Sequence, residues 1–384
     1  MSRFKKIMIA VAGLIVFLAL AGYVFVKTQM THHSVTGTPA AVQPSGDEVL
    51  DAIRRGIEFL RVHQEPDGEF SAGILDPKPA FTALVVDSIV HSPDRLNEKT
   101  PFVARAVKAI LSHQQEDGGI YTPALGLGNY CTSACIMALT GLNNPKHEPV
   151  IKRARDFVMG VQHESGGMGY GDGGDPDMSN TAMSLEALRK AGVPEDSDVF
   201  KRAAAFISRC QNSSESNPEV WAADDGGFIY RPANSKAGTR TTPDGKTEYI
   251  SYGLMSYAGL VSFLWANVDR DEERVKSAFR WVRENWTLQE NKNIGNQGLY
   301  YYYLTMAKAL QVYGVRIIET TDGKKHDWPV ELSERVISLQ KDDGSWVNEN
   351  GRWFEDDAVL VTAYMIRALT VCHKEFHRPS RSAP

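Results

Sequence analysis

The residues best suited to chemistry in this sequence are carboxylates and tyrosines standing just ahead of apolar runs. Asp175 and Asp177 precede Thr181-Ala182, and the adjacent pair Asp356-Asp357 precedes Thr362-Ala363. A carboxyl group at such a position can serve as a general acid, and the four together could take a divalent cation. The plainer role for each is to cap a helix and complement its dipole. Glu248, Tyr249, Tyr252 and Gln297 open comparable runs, and Tyr300 to Tyr303 form an unbroken aromatic stretch. Tyrosines about 100° apart on one helix cannot all face one space. Tyr300 and Tyr301 are therefore candidates for a pocket wall whose ring faces would stabilise positive charge, the others filling gaps between helices.

A recurring punctuation mark shows what positions these residues. It reads Gln64-Glu-Pro-Asp67-Gly68-Glu-Phe70, Gln114-Gln-Glu-Asp117-Gly118-Gly119, Gln162-His-Glu-Ser165-Gly166-Gly167 and, most completely, Gln340-Lys-Asp-Asp343-Gly344-Ser-Trp346. A weaker copy begins at Gln211, and the successive spacings of the first four glutamines are 50, 48 and 49 residues. Such a period signals an array of supersecondary units. Before each mark lies an amphipathic helical pattern. After it comes a run that is apolar nearly all round: Thr82 to Ile89, Thr132 to Leu139, Thr181 to Leu188, Thr362 to Leu369. A helix with one apolar stripe has a wet side, and one apolar throughout is buried on all sides. Each unit is thus an αα-hairpin with an outer and an inner helix.

Six hairpins can be laid out: 47–64 with 80–91, 101–115 with 130–142, 148–163 with 179–191, 197–212 with 250–267, 271–288 with 297–313, and 328–341 with 356–373. The final inner run is as apolar as any interior one, which favours closure into a ring over an open stack with polar ends. The long polar insert 212–247 in the fourth hairpin has the character of a lid over the mouth of a central cavity. Helix starts converging at one end of a ring would also favour anions there.

Composition restricts the alternatives. The chain has 384 residues, 42% of them hydrophobic, and a net charge of −5; without a basic stripe there is no footprint for nucleic acid. Arg3, Lys5 and Lys6 precede an uncharged run, Ile7 to Val26, of 20 residues, enough to span roughly 30 Å of hydrocarbon. This predicts an uncleaved signal anchor over 1–27, with Ala19-Leu-Ala21 as the alternative cleavage site. The positive flank places the remainder on the extracytoplasmic (periplasmic) side as a single-pass, membrane-anchored protein. A flexible tether would cover 28–46, the hairpins 47–373 and a tail 374–384. Four scattered cysteines do not make a disulfide scaffold.

The Gln-x-x-Asp-Gly-Ser-Trp mark at 340–346, its echoes and the Thr-Ala inner-helix starts resemble the repeats of the terpene-cyclase and protein-prenyltransferase superfamily. Tyr252-Gly-Leu-Met-Ser-Tyr-Ala-Gly-Leu260 and Gln297-Gly-Leu-Tyr-Tyr-Tyr-Tyr303 further resemble squalene-cyclase-like proteins. The resemblance covers about 47–373 and implies an all-α, α6/α6 toroid of six repeats. Cyclases of this kind place a proton donor in an Asp-x-Asp-Asp-Thr-Ala motif. Here the stretch is Asp177-Met-Ser179-Asn180-Thr181-Ala182, with serine in the donor's place, although Asp175 lies close enough upstream to substitute. The prenyltransferases hold zinc with Asp, Cys and His. Cys131 has no such companions, and a catalytic zinc needs three protein ligands. The expectation is therefore a toroid without metal or cofactor that binds an isoprenoid or other hydrophobic molecule, and could cyclise or transfer it. The alternatives are a non-catalytic lipid- or peptide-binding scaffold and a glycan-processing (α/α)6 enzyme, for which paired carboxylates would be needed.

Overall fold

The computed structural model describes residues 46–71, 77–171 and 173–378. The expected anchor, the tether up to residue 45 and residues 379–384 lie outside them. Among the described residues no helix is long and apolar enough to cross a membrane.

Helices alternate between two environments. The outer set is α1 (Gly46–Val62), α3 (Pro101–Ser112), α5 (Glu148–Gly160), α7 (Asp198–Arg209), α9 (Glu273–Glu284) and α11 (Trp328–Ser338). The inner set is α2 (Ala80–His91), α4 (Gly128–Gly141), α6 (Met178–Lys190), α8 (Gly253–Trp265), α10 (Leu299–Tyr313) and α12 (Ala358–Phe376). In α7, Phe200, Ala203, Phe206 and Ile207 are buried while Lys201 and Arg202 are exposed. In α8, every residue from Gly253 to Phe263 is buried. Each inner helix packs on the next, and α12 packs on α2, so the inner ring is closed. Two short antiparallel hairpins are added: β1 (Thr239–Thr241) with β2 (Thr247–Tyr249), and β3 (Ile317–Glu319) with β4 (Lys325–Asp327).

The repeated mark is the joint between neighbouring units. Gln64 Nε2 donates to the carbonyl of Gly68 at 3.0 Å and to that of Phe102, in the next outer helix, at 2.8 Å. Gln162 repeats this with Gly166 and Val199, and Gln340 with Gly344 and Ala52. The last mark thus fastens to α1, the first outer helix. Gly68, Gly118, Gly166, Gly226 and Gly344 have φ between 80° and 95°. A Cβ on any of them would sit 2.1–2.8 Å from a carbonyl oxygen of the facing outer helix, so only glycine fits. The weak fourth copy is a whole mark that has been interrupted. Gln211 Nε2 donates to Gly226 and Arg274 carbonyls at 3.0 and 2.8 Å, with residues 212–224 looped out between its halves.

The threonine opening each inner run completes the joint. Thr82, Thr132, Thr181 and Thr362 Oγ1 accept from the amides of Phe70, Ile120, Met168 and Trp346 at 2.9–3.1 Å, and Ser256 does so for Phe228. These five apolar side chains are buried between units. Gly259 lets Phe228 close to within 2.4 Å of where a Cβ would stand.

The centre of the ring is sealed at the C-terminal ends of the inner helices by ion pairs. Lys308 (α10) meets Glu186 (α6) at 2.8 Å, Arg367 (α12) meets Asp87 (α2) at 3.1 Å, and Lys190 lies 3.5 and 3.3 Å from Asp87 and Glu186. Burial alone would raise the Glu186 carboxyl, but Lys308 and Lys190 hold it down to about 2.

Candidate functional site

At the opposite end, where the inner helices begin, the ring encloses a cavity of about 310 Å³. Tyr130, Tyr170, Tyr230, Tyr252, Tyr301 and Tyr364 line it, with Ser179 and Met183 from α6. Phe81, Leu254, Met255, Leu360, Trp353, Phe354 and Glu355 are also part of the wall. Tyr170, Trp353 and Phe354 remain 41%, 36% and 46% exposed, which marks this side as the mouth. Beneath Met183, Tyr301 and Tyr364 a second void of about 30 Å³ leads to Glu186 and Lys308. The cavity is therefore closed below by the ion-paired seal.

The polar groups of the wall are hydrogen-bonded to one another. Tyr230 bonds with Asp177 and Tyr170, Tyr301 with Ser179, and Tyr130 with Tyr364. Burial raises the Tyr301 phenol to about 12, so these tyrosines stay neutral donors.

Among the described residues Glu355 is the one carboxylate that lines the cavity. Its Oε1 accepts from the Tyr301 amide at 2.8 Å; its Oε2 accepts from Asn348 Nδ2 at 2.6 Å and the Tyr300 amide at 3.3 Å. It thus occupies the open N-terminus of α10, where free amides favour negative charge. Burial nevertheless dominates and pushes its carboxyl up to about 7.

The expected site residues separate into three groups. Tyr252 and Tyr301 line the cavity. Asp177, 1% exposed, stands one layer behind Tyr230 and caps α6, its Oδ1 accepting from the Asn180 amide at 2.9 Å; burial raises its carboxyl. The others are placed elsewhere. Asp175 is exposed and paired with Arg231 at 2.6 Å, so it does not turn inward. Asp356 is exposed, and Asp357 caps α12 through the Leu360 amide at 2.8 Å. Glu248 is held by Arg240 and Lys246, both at 3.0 Å. Tyr249 packs edge-on against Trp221, Gln297 accepts from Arg352 at 2.7 Å, and Tyr300 packs against Tyr303. The side chain in the cyclase donor's place does reach the cavity, but it is the hydroxyl of Ser179.

Glu355, Tyr130, Tyr170, Tyr230 and Trp353 were not foreseen. Trp353 and Phe354 adopt φ of 59° and 62°, a left-handed pair unusual for bulky residues. This turns Glu355, rather than the more conspicuous Asp356-Asp357, toward the cavity. No cluster of His, Cys, Asp and Glu among the described residues could hold a metal ion. The four cysteines are buried and unbonded to each other.

Residues 21–125 match the prenyltransferase alpha-alpha toroid domain, and residues 103–217 match the squalene-hopene cyclase N-terminal domain. A terpentedienyl-diphosphate synthase of Kitasatospora griseola is 28% identical over 130 residues, 32% of this chain. The chain spans about a quarter of the length of the curated relatives it matches, 24% and 22%. Two solved structures share the architecture. An unsaturated glucuronyl hydrolase specific for heparin has a TM-score of 0.54 at 14% identity, over 86% of this chain and 98% of that one. A possible GH105 member from Salmonella enterica serovar Paratyphi A has 0.53 at 10%, over 90% and 98%. At such identities the likeness is one of fold: an α/α toroid.

Proposed function

We propose, from the premise that this chain's repeats are those of the terpene-cyclase and prenyltransferase-like toroids, that it binds a short isoprenoid or similarly hydrophobic molecule in the tyrosine-walled cavity. The observation that carries this is the cavity itself. At about 310 Å³ it lies at the small end of ligand sites, which run about 300–1,000 Å³, and its wall is mainly aromatic. The volume is that of roughly ten waters, which suits a short chain better than a long one.

The same geometry argues for binding over cyclisation. Protonating an alkene needs a strong acid, and the donor's place is taken by Ser179. Glu355, the carboxyl at the wall, titrates near neutrality and is too weak an acid for that step. The glycan alternative is less favoured, because glycoside hydrolysis uses a pair of carboxylates flanking one bond and only Glu355 faces this space among the described residues. We place the toroid on the extracytoplasmic side on the strength of the basic flank and apolar run at residues 3–26.

The test is mass spectrometry of small molecules extracted from the purified full-length chain, alongside Met183→Trp, which fills the cavity. The expected result is a hydrophobic species that the wild type retains and the folded variant loses. An identical extract from both would overturn the proposal.

A further inference from the structure

The cavity wall holds a carboxyl group and a hydroxyl hydrogen that simple binding of an apolar molecule would not use. Glu355 is buried, and the amides of Tyr300 and Tyr301 and Asn348 Nδ2 fix its carboxyl at the wall. These three donors are neutral, so no partner's charge locks the group in its ionised form. With its acidity near 7, it can both take up and return a proton at physiological pH.

Tyr130 of α4 and Tyr364 of α12 line the same cavity and bond with each other. Two hydroxyls joined by one bond use one hydrogen and leave the second for an acceptor in the cavity. Burial raises both phenols, and the charge of Glu355 adds to this at Tyr364, so that hydrogen stays on oxygen. The Tyr364 ring packs at 5.3 Å on that of Tyr301, whose amide holds Glu355. Carboxyl and phenol pair therefore share one section of the wall. A carboxylate and a neutral donor in one apolar space are the groups needed to draw a proton from carbon beside a carbonyl. The base takes the proton, and the donor meets the charge developing on oxygen.

We infer that the cavity isomerises a hydrophobic β,γ-unsaturated ketone, with Glu355 as the base and the Tyr130–Tyr364 pair as hydrogen-bond donor to the ketone oxygen. This rests on the cavity being an apolar binding site and adds a reaction to it. First the Cα–H bond breaks: the proton passes to a Glu355 oxygen, and the electron pair moves into a dienolate whose oxygen the phenol holds. Then the dienolate takes a proton from Glu355 at Cγ, the double bond moves into conjugation and the carboxylate is restored. Substrate and product are isomers, so the step is redox-neutral and needs no co-reactant. It asks for a base of moderate strength, not for the strong acid that an isolated alkene demands.

The experiment incubates the full-length protein with isopulegone, a ten-carbon β,γ-unsaturated ketone, in deuterated water. Ultraviolet absorbance reads conversion to the conjugated isomer pulegone; proton NMR reads binding by saturation transfer and deuterium uptake at Cα. Wild type should accelerate conversion about a hundredfold or more over buffer. Glu355→Gln should still bind the ketone and lose that acceleration, while Glu355→Asp keeps part of it. Tyr364→Phe should lose about tenfold, and Lys324→Ala, on the exposed β3–β4 turn, nothing. If the ketone binds but is converted no faster than in buffer, or as fast by Glu355→Gln as by wild type, the reaction is overturned while the binding site stands. If the ketone does not bind, both are overturned.

Discussion

The two ends of the inner ring are built from the same six helices and do opposite things. Where the helices begin, tyrosines together with Phe81, Met183, Met255 and Leu360 line a cavity open to solvent. Where they end, Asp87, Glu186, Lys190, Lys308 and Arg367 close the axis with buried charge. A hydrophobic ring interior could collapse on itself at either end. At one end bulky aromatics hydrogen-bonded to one another hold the wall apart; at the other, ion pairs specify the spacing of facing helices. A buried ion pair is weak evidence for stability, but removing one partner is costly because the other charge is stranded.

That asymmetry can be broken most forcefully at the sealed end. Glu186→Ala leaves Lys308 without its carboxylate and Lys190 with Asp87 alone, and should lower unfolding stability by about 3–5 kcal/mol, read from urea denaturation. A loss below 1 kcal/mol would show that the seal contributes no specificity.

At the open end the corresponding carboxyl should act in the opposite sense with pH. Glu355 titrates at about 7 when folded, above the ordinary 4.5. Its contribution is therefore fully present below pH 4.5 and is lost as pH rises through 7, a change of about 3 kcal/mol at 1.36 kcal/mol per unit. Glu355→Gln should remove that component, so that its stability falls less than wild type between pH 5 and 8. Parallel pH profiles for the two proteins would contradict the raised titration.

Smaller effects separate the wall from the joints. Gln340→Ala and Gln162→Ala should each cost about 1–2 kcal/mol, by stranding buried carbonyls at equivalent joints. A much larger loss at Gln340 would mean that the contact with α1 is special. Trp353→Ala should change stability by less than about 1 kcal/mol, since the ring is partly exposed and its backbone strain is retained. It should nevertheless weaken any ligand held at the mouth, which equilibrium titration would register.

How far the sequence could be read follows from the same contrast. The six hairpins were legible because glycine-bearing marks and the switch from striped to wholly apolar helices repeat along the chain. Closure was inferable from the apolar last helix, and its physical basis, Gln340 fastening to Ala52, uses the same residue as the earlier joints. The cavity wall was harder. Tyr252 and Tyr301 were found because they open inner helices; Tyr130 opens one as well and was not singled out, whereas Tyr170, Tyr230 and Tyr364 converge from separate repeats with no spacing to betray them. Asp175, Asp356 and Asp357 drew attention as conspicuous acids, yet they are exposed or cap a helix. Glu355, inconspicuous beside them, is the one turned inward, because two consecutive left-handed residues aim it there. The fourth mark kept its period at Gln211, but an insertion carries its glycine half to Gly226, where no fixed spacing would look for it.

The contact of the final mark with α1 also bears on how the chain could be cut. Since Gln340 and Gly344 meet Ala52 and Arg55 as Gln64, Gln162 and Gln211 and their glycines meet the outer helices that follow them, the seam between last and first units is built like those joints. Gly46 also lies within 3.9 Å of His377 by the site of its missing Cβ. A circular permutant joining these two positions by a short linker, and opened instead at the exposed turn around Gly323, would retain every inter-unit joint while moving the place where fraying starts.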